Sequence, residues 1–163
     1  MRGHLSHRYL IAFGSNRRHV RHGGPRRIIG AALAAIGALD ARIIAVSPTM
    51  TSRPLGPSQR DYANAAAVIE TALRPRELLR ELQRIELDFG RRRRGRRWGA
   101  RTLDLDIVLW DGGVFSDDAL AIPHPHFRER GFVLGPAVAI AGRWRDPATG
   151  LSLAHLHARL TKP

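Results

Sequence analysis

At 163 residues, 44% of them hydrophobic, the chain is the size of one domain and can bury its own core, so whole-chain disorder is not expected. It has no cysteine, which excludes disulfide scaffolds, thiolate zinc sites and cysteine nucleophiles. Its 27 Lys and Arg against 14 Asp and Glu give a formal charge of +13, and all but Lys162 of those cations are Arg. Such a surface suits polyanions, either nucleic acid or a phosphorylated small molecule, although an arginine-rich coding background would also scatter arginines.

In chain order, residues 1–8 are basic and lack the apolar region of a signal peptide; they are expected to be a flexible extension of a cytoplasmic protein. Residues 9–13 (YLIAF) read as a strand and Gly14-Ser15-Asn16 as the turn after it. Residues 17–24 read as a basic loop. Pro25 then opens a helix whose apolar positions are Ile29, Ala32, Leu33, Ile36 and Leu39. Residues 43–46 are strand-like, 49–61 a long loop, and 64–70 a strand. Pro75 opens a second helix, with Leu78, Leu82, Ile85 and Phe89 on one face and Gly90 at the left-handed cap. Residues 91–99 are a glycine-broken Arg run, 102–110 the strongest strand, and 123–127 a loop. Short helices are expected over 131–140 and 152–160. No stretch approaches the ~18 apolar residues that span a bilayer.

The order β-α-β-β-α-β plus a helical tail predicts an α+β fold, a ferredoxin-like antiparallel sheet with helices packed on one face, as a single domain over residues 1–163. That topology hosts many functions, so the function must come from the site.

Side chains alternate along a strand, which places Leu103, Leu105, Ile107 and Leu109 on one face and Asp104 with Asp106 on the other. Two carboxylates roughly 6–7 Å apart on a sheet repel each other unless something neutralises them. Magnesium does so with hard oxygen ligands, often together with substrate phosphates. The competing view is a solvated strand face with two incidental aspartates, but Asp is a poor strand former. Upstream lie Arg91, Arg92, Arg93, Arg94, Arg96, Arg97 and Arg101. Metal-binding carboxylates beside guanidinium groups suit polyphosphate transfer. No Walker-type phosphate loop and no protein-kinase signature is present.

The stretch Arg97-Trp98-Gly99-Ala100-Arg101-Thr102-Leu103-Asp104-Leu105-Asp106 closely resembles the R-W-G-P-R-T-L-D-L-D of the 6-hydroxymethyl-7,8-dihydropterin pyrophosphokinase family of the folate pathway. Supporting pieces follow in the family's order: Gly14-Ser15-Asn16, Pro54-Leu55-Gly56-Pro57, Asp61-Tyr62-Ala63-Asn64-Ala65, Gln83-Arg84-Ile85-Glu86, Pro123-His124 and Arg130-Gly131-Phe132. The resemblance implies transfer of the terminal pyrophosphate of ATP to the pterin hydroxymethyl oxygen, with release of AMP. It implies two Mg2+ ions on Asp104 and Asp106, with Asp104 also beside the pterin.

By the same resemblance, Arg91, Arg93, Arg101, His124 and Arg130 contact ATP phosphates, and Glu86 and Ile107 lie on the nucleotide side. Trp98, between the Arg run and the strand, is placed either to stack on the nucleotide or to pack in the core. Arg91, Arg101 and Asp106 are the expected catalytic groups. Tyr62 and Phe132 sandwich the pterin, Asn64 bonds its polar edge, and Ser52 and Leu55 flank it through backbone groups, with Gly14 approaching closely. Read without the resemblance, Tyr62 and Phe132 are expected to be core aromatics. The three loops at about 15–25, 49–61 and 90–100 are expected around one cleft, closing over the substrates.

Some positions depart from the family: the basic first loop, Met50 in place of Tyr, Ser52 in place of Thr, Arg53, and Pro125 after His124. Two rival functions are a catalytically altered paralogue that still binds pterin or ATP, and a basic nucleic-acid module. The sheet lacks the exposed aromatic pair of the latter, and the aspartates would repel a phosphate backbone. The expectation is therefore a monomer with ATP and the pterin as substrates and no nucleic-acid or membrane partner.

Overall fold

The computed structural model describes residues 6–16, 22–52, 62–90 and 102–163. The chain runs β1 (His7–Ser15), α1 (Pro25–Gly37), β2 (Ala41–Val46), β3 (Met50–Ser52), β4 (Tyr62–Thr71), α2 (Pro75–Asp88) and β5 (Asp104–Trp110). A small hairpin of β6 (Phe115–Ser116) and β7 (Ala121–Ile122) follows, then a 3-10 turn (Phe127–Glu129), α3 (Gly131–Ala141) and α4 (Leu153–Thr161).

The main sheet has the order β2-β4-β1-β5, every pair antiparallel, with β3 added beside the start of β4. This is the ferredoxin-like arrangement that the element order predicts, and the short β3 stands outside it. Both helix starts follow from their prolines, which fix φ and lack an N–H that a first turn cannot use. At α2 the Glu77 carboxylate also accepts the Arg74 backbone N–H at 3.1 Å. Gly90 ends α2 at φ +94, the left-handed position expected of it.

Alternation splits the sheet into two buried faces. Tyr9, Ile11 and Phe13 of β1 point with Leu103, Leu105 and Ile107 toward α1 and α2, meeting Ile28, Ile29, Ala32, Ile36, Leu78 and Leu82. Leu10 and Ala12 point the other way, where the C-terminal helices supply Val133, Leu134, Leu153 and Leu156. The helical tail thus covers the face that a plain ferredoxin-like domain leaves open, so helices pack on both faces, not one.

Four local expectations need correction. Leu109 does not share a face with Leu103, Leu105 and Ile107. The pairing of β1 with β5 slips by one residue at Leu10/Ile11, and Val108 and Leu109 both join the α3 side. Gly14 and Ser15 are not a turn. They continue β1, because Gly14 pairs with Asn64 and Asp104, and Ser15 with Ala63. The segment expected as loop from residue 49 contains β3, held by pairing with Tyr62, Ala63 and Asn64. The strand β5 starts at Asp104, two residues later than its pattern suggests.

Candidate active site

The sheet face that carries Leu10 changes character along its length. Near the middle of β1 it is filled by Leu10, Val68, Val108 and Leu109 against α3. Toward the end of β1 the inward side chains become small or polar: Ala12 and Gly14 on β1, Asn64 on β4, Asp106 and Asp104 on β5. Apolar bulk is missing there, and a cavity of about 160 Å³ remains beneath the start of α3. Gly14, Asn64, Asp104 and Asp106 form its floor with Ala12, Tyr62 and Ser52 line one side, and Arg130 and Phe132 face them.

Strand register explains the grouping. Gly14 lies directly between Asn64 and Asp104, while Ala12 lies opposite Asp106. Ser52 pairs with Tyr62, and Met50 with Asn64. The two aspartates therefore share a face, as alternation requires, and neither is fully buried. Tyr62 and Phe132 are both half-buried and line the cavity, and Phe132 also packs against the core on the α3 side. The Arg130 guanidinium carbon sits 5.6 Å from the centre of the Phe132 ring, a cation–π distance that joins charge and aromatic surface on one wall.

Asn64 is 3% exposed. Its Nδ2 donates to Ser52 Oγ at 2.6 Å and, more weakly, to the Tyr62 carbonyl at 3.5 Å. Ser15 Oγ donates to the Thr102 carbonyl at 2.5 Å, fixing the end of β1 to the entry of β5 beside the aspartates.

His124 follows Pro123, whose peptide bond with Ile122 is cis, and its backbone N–H donates to the Val108 carbonyl at 3.0 Å. The His126 backbone N–H donates to His124 Nδ1 at 3.1 Å, so a neutral ring carries its proton on Nε2. Burial holds this imidazole below its ordinary pKa, Asp106 opposes that, and Arg130 and His126 reinforce it. The ring lies near the aspartates without lining the cavity itself.

Two expected residues lie elsewhere. Ile107 is 3% exposed in the core against α1 and α2, so its side chain does not reach the cavity. Glu86, also 3% exposed, accepts the Leu105 backbone N–H at 3.0 Å on Oε2 and so closes part of the free edge of β5. Arg91, Arg93, Trp98, Arg101 and Leu55 fall outside the described residues. The cavity adds Phe13 and Val133 to the expected set, together with Ala12. Of these, Ala12 was within reach of strand alternation, since it shares the parity of Gly14.

Among the described residues no cluster of three or more His, Cys, Asp or Glu is placed to hold a metal. The pair Asp104 and Asp106 still fits Mg2+: both are oxygen donors, both open on the cavity, and their neighbours across β1 are Gly14 and Ala12, which leave room. Phosphate oxygens and water would complete the shell.

Residues 10–142 match the family described as 7,8-dihydro-6-hydroxymethylpterin-pyrophosphokinase (HPPK). The chain belongs to the HPPK family. A Haemophilus influenzae relative named 2-amino-4-hydroxy-6-hydroxymethyldihydropteridine pyrophosphokinase is 47% identical over 133 residues, covering 80% of this chain and 79% of its own. The Pseudomonas aeruginosa protein of the same name is 44% identical over 142 residues, covering 86% and 84%. Among solved structures, Plasmodium falciparum HPPK-DHPS with pteroate superimposes with a TM-score of 0.73 at 10% identity. That match covers 94% of this chain and 44% of the longer protein, and at such identity it bears on the HPPK fold alone.

Proposed function

We propose that this HPPK-family enzyme transfers the terminal pyrophosphate of ATP to the hydroxymethyl oxygen of 6-hydroxymethyl-7,8-dihydropterin, in a Mg2+-dependent reaction. The observation that carries the reading is one cavity that joins a half-buried aromatic pair, Tyr62 and Phe132, to the carboxylates Asp104 and Asp106. A flat bicyclic ring gains from stacking between two aromatics, and Asn64 lines the same cavity to bond its polar edge.

In the reaction the hydroxymethyl oxygen forms a bond to the β-phosphorus while the bond from that phosphorus to the AMP oxygen breaks. The hydroxyl proton leaves the attacking oxygen, and we assign Asp106 as its acceptor. When bound, Mg2+ supplies charge neutralisation on the phosphate oxygens, with Asp104 and Asp106 as its protein ligands. The chain's own residues do the positioning, which is worth much of the barrier in a displacement of this kind. Arg130 brings a guanidinium to the cavity mouth, and the Nε2–H of His124 is a fixed donor nearby. Arg91, Arg93 and Arg101 are assigned to the phosphates and Trp98 to a stacking contact, while Leu55 joins Ser52 beside the pterin.

Glu86 and Ile107 serve the nucleotide side through the β5 edge. Leu105 turns its N–H outward to Glu86, and two-residue alternation gives Ile107 the same outward backbone, an edge on which a base can bond. We take the monomer as the working unit, cytoplasmic with its ATP and without a nucleic-acid partner. None of the described helices is long and apolar enough to cross a membrane.

AMP formation from ATP is the test, measured with and without the pterin and with Mg2+ or chelator. Pterin-dependent AMP that disappears with chelator is the expected result. Tight Mg2+-dependent ATP binding without AMP would overturn the reaction and leave a catalytically altered paralogue.

A further inference from the structure

Arg130 and Phe132 face Tyr62 and the two aspartates from outside the sheet, just after the 3-10 turn Phe127–Glu129 and in the first turn of α3. Side chains on strands are placed by register, whereas a wall carried on a turn needs another anchor. The Arg130 N–H donates to the Phe127 carbonyl at 3.3 Å, and the Arg130 carbonyl accepts from Val133 at 3.0 Å and Leu134 at 2.9 Å. Those bonds shape the turn without tying it to the rest of the molecule. Phe127 is buried in the core beside α3, but an apolar contact has no direction and lets the turn pivot about it.

Arg128 supplies the directional tie. Its side chain reaches Asp146 instead of the cavity, with Nε 2.6 Å from Oδ2 and Nη2 2.7 Å from Oδ1. Two parallel bonds from a planar group fix orientation as well as distance. The acceptor is itself immobile. Asp146 has no accessible surface, and its carboxylate also accepts from the Ala148 N–H at 3.0 Å and Thr149 Oγ1 at 2.8 Å. The Asp146 N–H donates to the Leu151 carbonyl at 2.9 Å, and Arg145 is bridged to Ser152, the cap of α4. Among the described residues, the other ion pair of the 3-10 turn is local, His126 with Glu129 at 3.9 Å. A buried ion pair gains little net stability over an apolar pair of similar volume, so stability alone gives no reason for one at this place.

We propose that Asp146 is a positioning residue: through the Arg128 fork it fixes where the Phe132 ring and the Arg130 guanidinium stand across the cavity from Tyr62, Asp104 and Asp106. A pivot of the turn would displace the ring and the guanidinium 5.6 Å from it together. Tyr62 and both aspartates would stay, held by β4 and β5. Loss of the fork therefore weakens the grip on the ring and leaves the carboxylates in place. This rests on the pterin reading above and deepens it, by naming what holds the wall that meets the ring.

The test is AMP formation against pterin concentration at saturating Mg2+ and ATP, below the lowest melting midpoint, for wild type, Asp146→Asn, Arg128→Lys and Thr149→Val. Asp146→Asn sets an NH2 group against the guanidinium and breaks the fork. The KM for the pterin should rise about tenfold while kcat changes by less than about threefold, since sub-ångström to 1 Å displacements are costly and the reacting groups do not move. Arg128→Lys keeps the charge and gives up the planar fork, so KM should rise here too. Thr149→Val removes a different bond to the same carboxylate; it should lower the melting midpoint and leave KM unchanged.

A purely structural role would move melting midpoints and the amount of active enzyme in all three variants without moving KM. An unchanged KM in Arg128→Lys, or in folded Asp146→Asn, overturns the positioning role. So does a rise in Thr149→Val as large as that in Asp146→Asn, because KM would then follow stability. Wild-type protein that forms no pterin-dependent AMP overturns the pterin reading, and this role with it.

Discussion

The two faces of the central sheet are made from the same strands and end in opposite ways. Toward α1 and α2, every second residue of β1 is large, with Tyr9, Ile11 and Phe13 all under 3% exposed, and the helices close over them completely. Toward α3 and α4, the intervening residues run Leu10, Ala12, Gly14, and the face closes at one end and opens at the other. A taper in side-chain size on one parity of one strand is enough to create the cavity. Stability is concentrated on the first face and chemistry on the second, at one end only. Substitutions on the two faces should therefore separate cleanly.

The sharpest break is Asp106→Ala. It removes a carboxylate from the open face and touches no packed element, so turnover should fall a thousandfold or more, an electrostatic loss of several kcal/mol at ~1.4 kcal/mol per tenfold. Thermal unfolding should hold or rise, because the repulsion with Asp104 is relieved. Steady-state rates beside a melting curve decide this, and near-normal turnover would remove Asp106 from the chemistry. The mirror experiment is Leu82→Ala on the closed face, where Leu82 has no accessible surface. A cavity there should cost ~2–5 kcal/mol in denaturant unfolding, with kcat unchanged in the remaining folded protein.

A third substitution probes how the open face keeps its roof. Asp146 has no accessible surface and accepts two bonds from Arg128, Nε at 2.6 Å and Nη2 at 2.7 Å, besides bonds from Ala148 and Thr149. These tie the turn after α3 to the 3-10 turn that leads into Arg130 and Phe132. The bonds from Arg128, with help from Ala148 and Thr149, hold the Asp146 carboxyl down to about 2. A carboxyl depressed in the fold stabilises fully above its unfolded value of ~3.9 and loses that contribution as pH falls through about 2. Asp146→Asn should then be less stable than wild type by ~2 kcal/mol at neutral pH. The gap should close between about pH 4 and pH 2 in urea titrations run across that range. A gap that persists unchanged at pH 2 would show that packing, not charge, is what Asp146 supplies.

Much of this difference between faces was legible in the sequence. Period-2 alternation placed both aspartates together, and prolines and Gly90 bounded the helices, because those signals are local. The slip that moves Leu109 to the other face was not legible, since a bulge is decided by the partner strand. Nor was β3, three residues long and stabilised only by its pairing with β4. The side on which α3 packs was hidden for another reason: Gly131–Ala141 is apolar all round, so its sequence says that it is buried without saying against what. Motif resemblance pointed to Tyr62, Phe132 and Asn64, which line the cavity, and to His124, which does not. It could not find the bond from Asn64 to Ser52, which exists only once β3 is in register beside β4.

The smallest expected effect tests the taper itself. Gly14 is the last step of the sequence Leu10, Ala12, Gly14, and it has ordinary strand geometry with no positive φ. A Cβ there would meet Asn64 Oδ1 at 3.6 Å and Tyr62 Cδ1 at 3.8 Å, both normal contact distances. Gly14→Ala should thus fold without strain and gain up to ~1 kcal/mol, because alanine loses less backbone entropy than glycine on entering a strand. The same methyl stands on the cavity floor between the Asn64 amide and Asp104, where a flat ligand must approach. Pterin affinity should fall about tenfold, a cost near 1.4 kcal/mol, while affinity for a Mg2+–ATP analogue changes little. Raised stability with weakened pterin binding, read from a melting curve and a titration on one sample, would show that glycine is kept here for space and not for backbone freedom. If the variant lost stability and kept its pterin affinity, the open end of this face would be a packing defect, and the site would have to be sought elsewhere along the sheet.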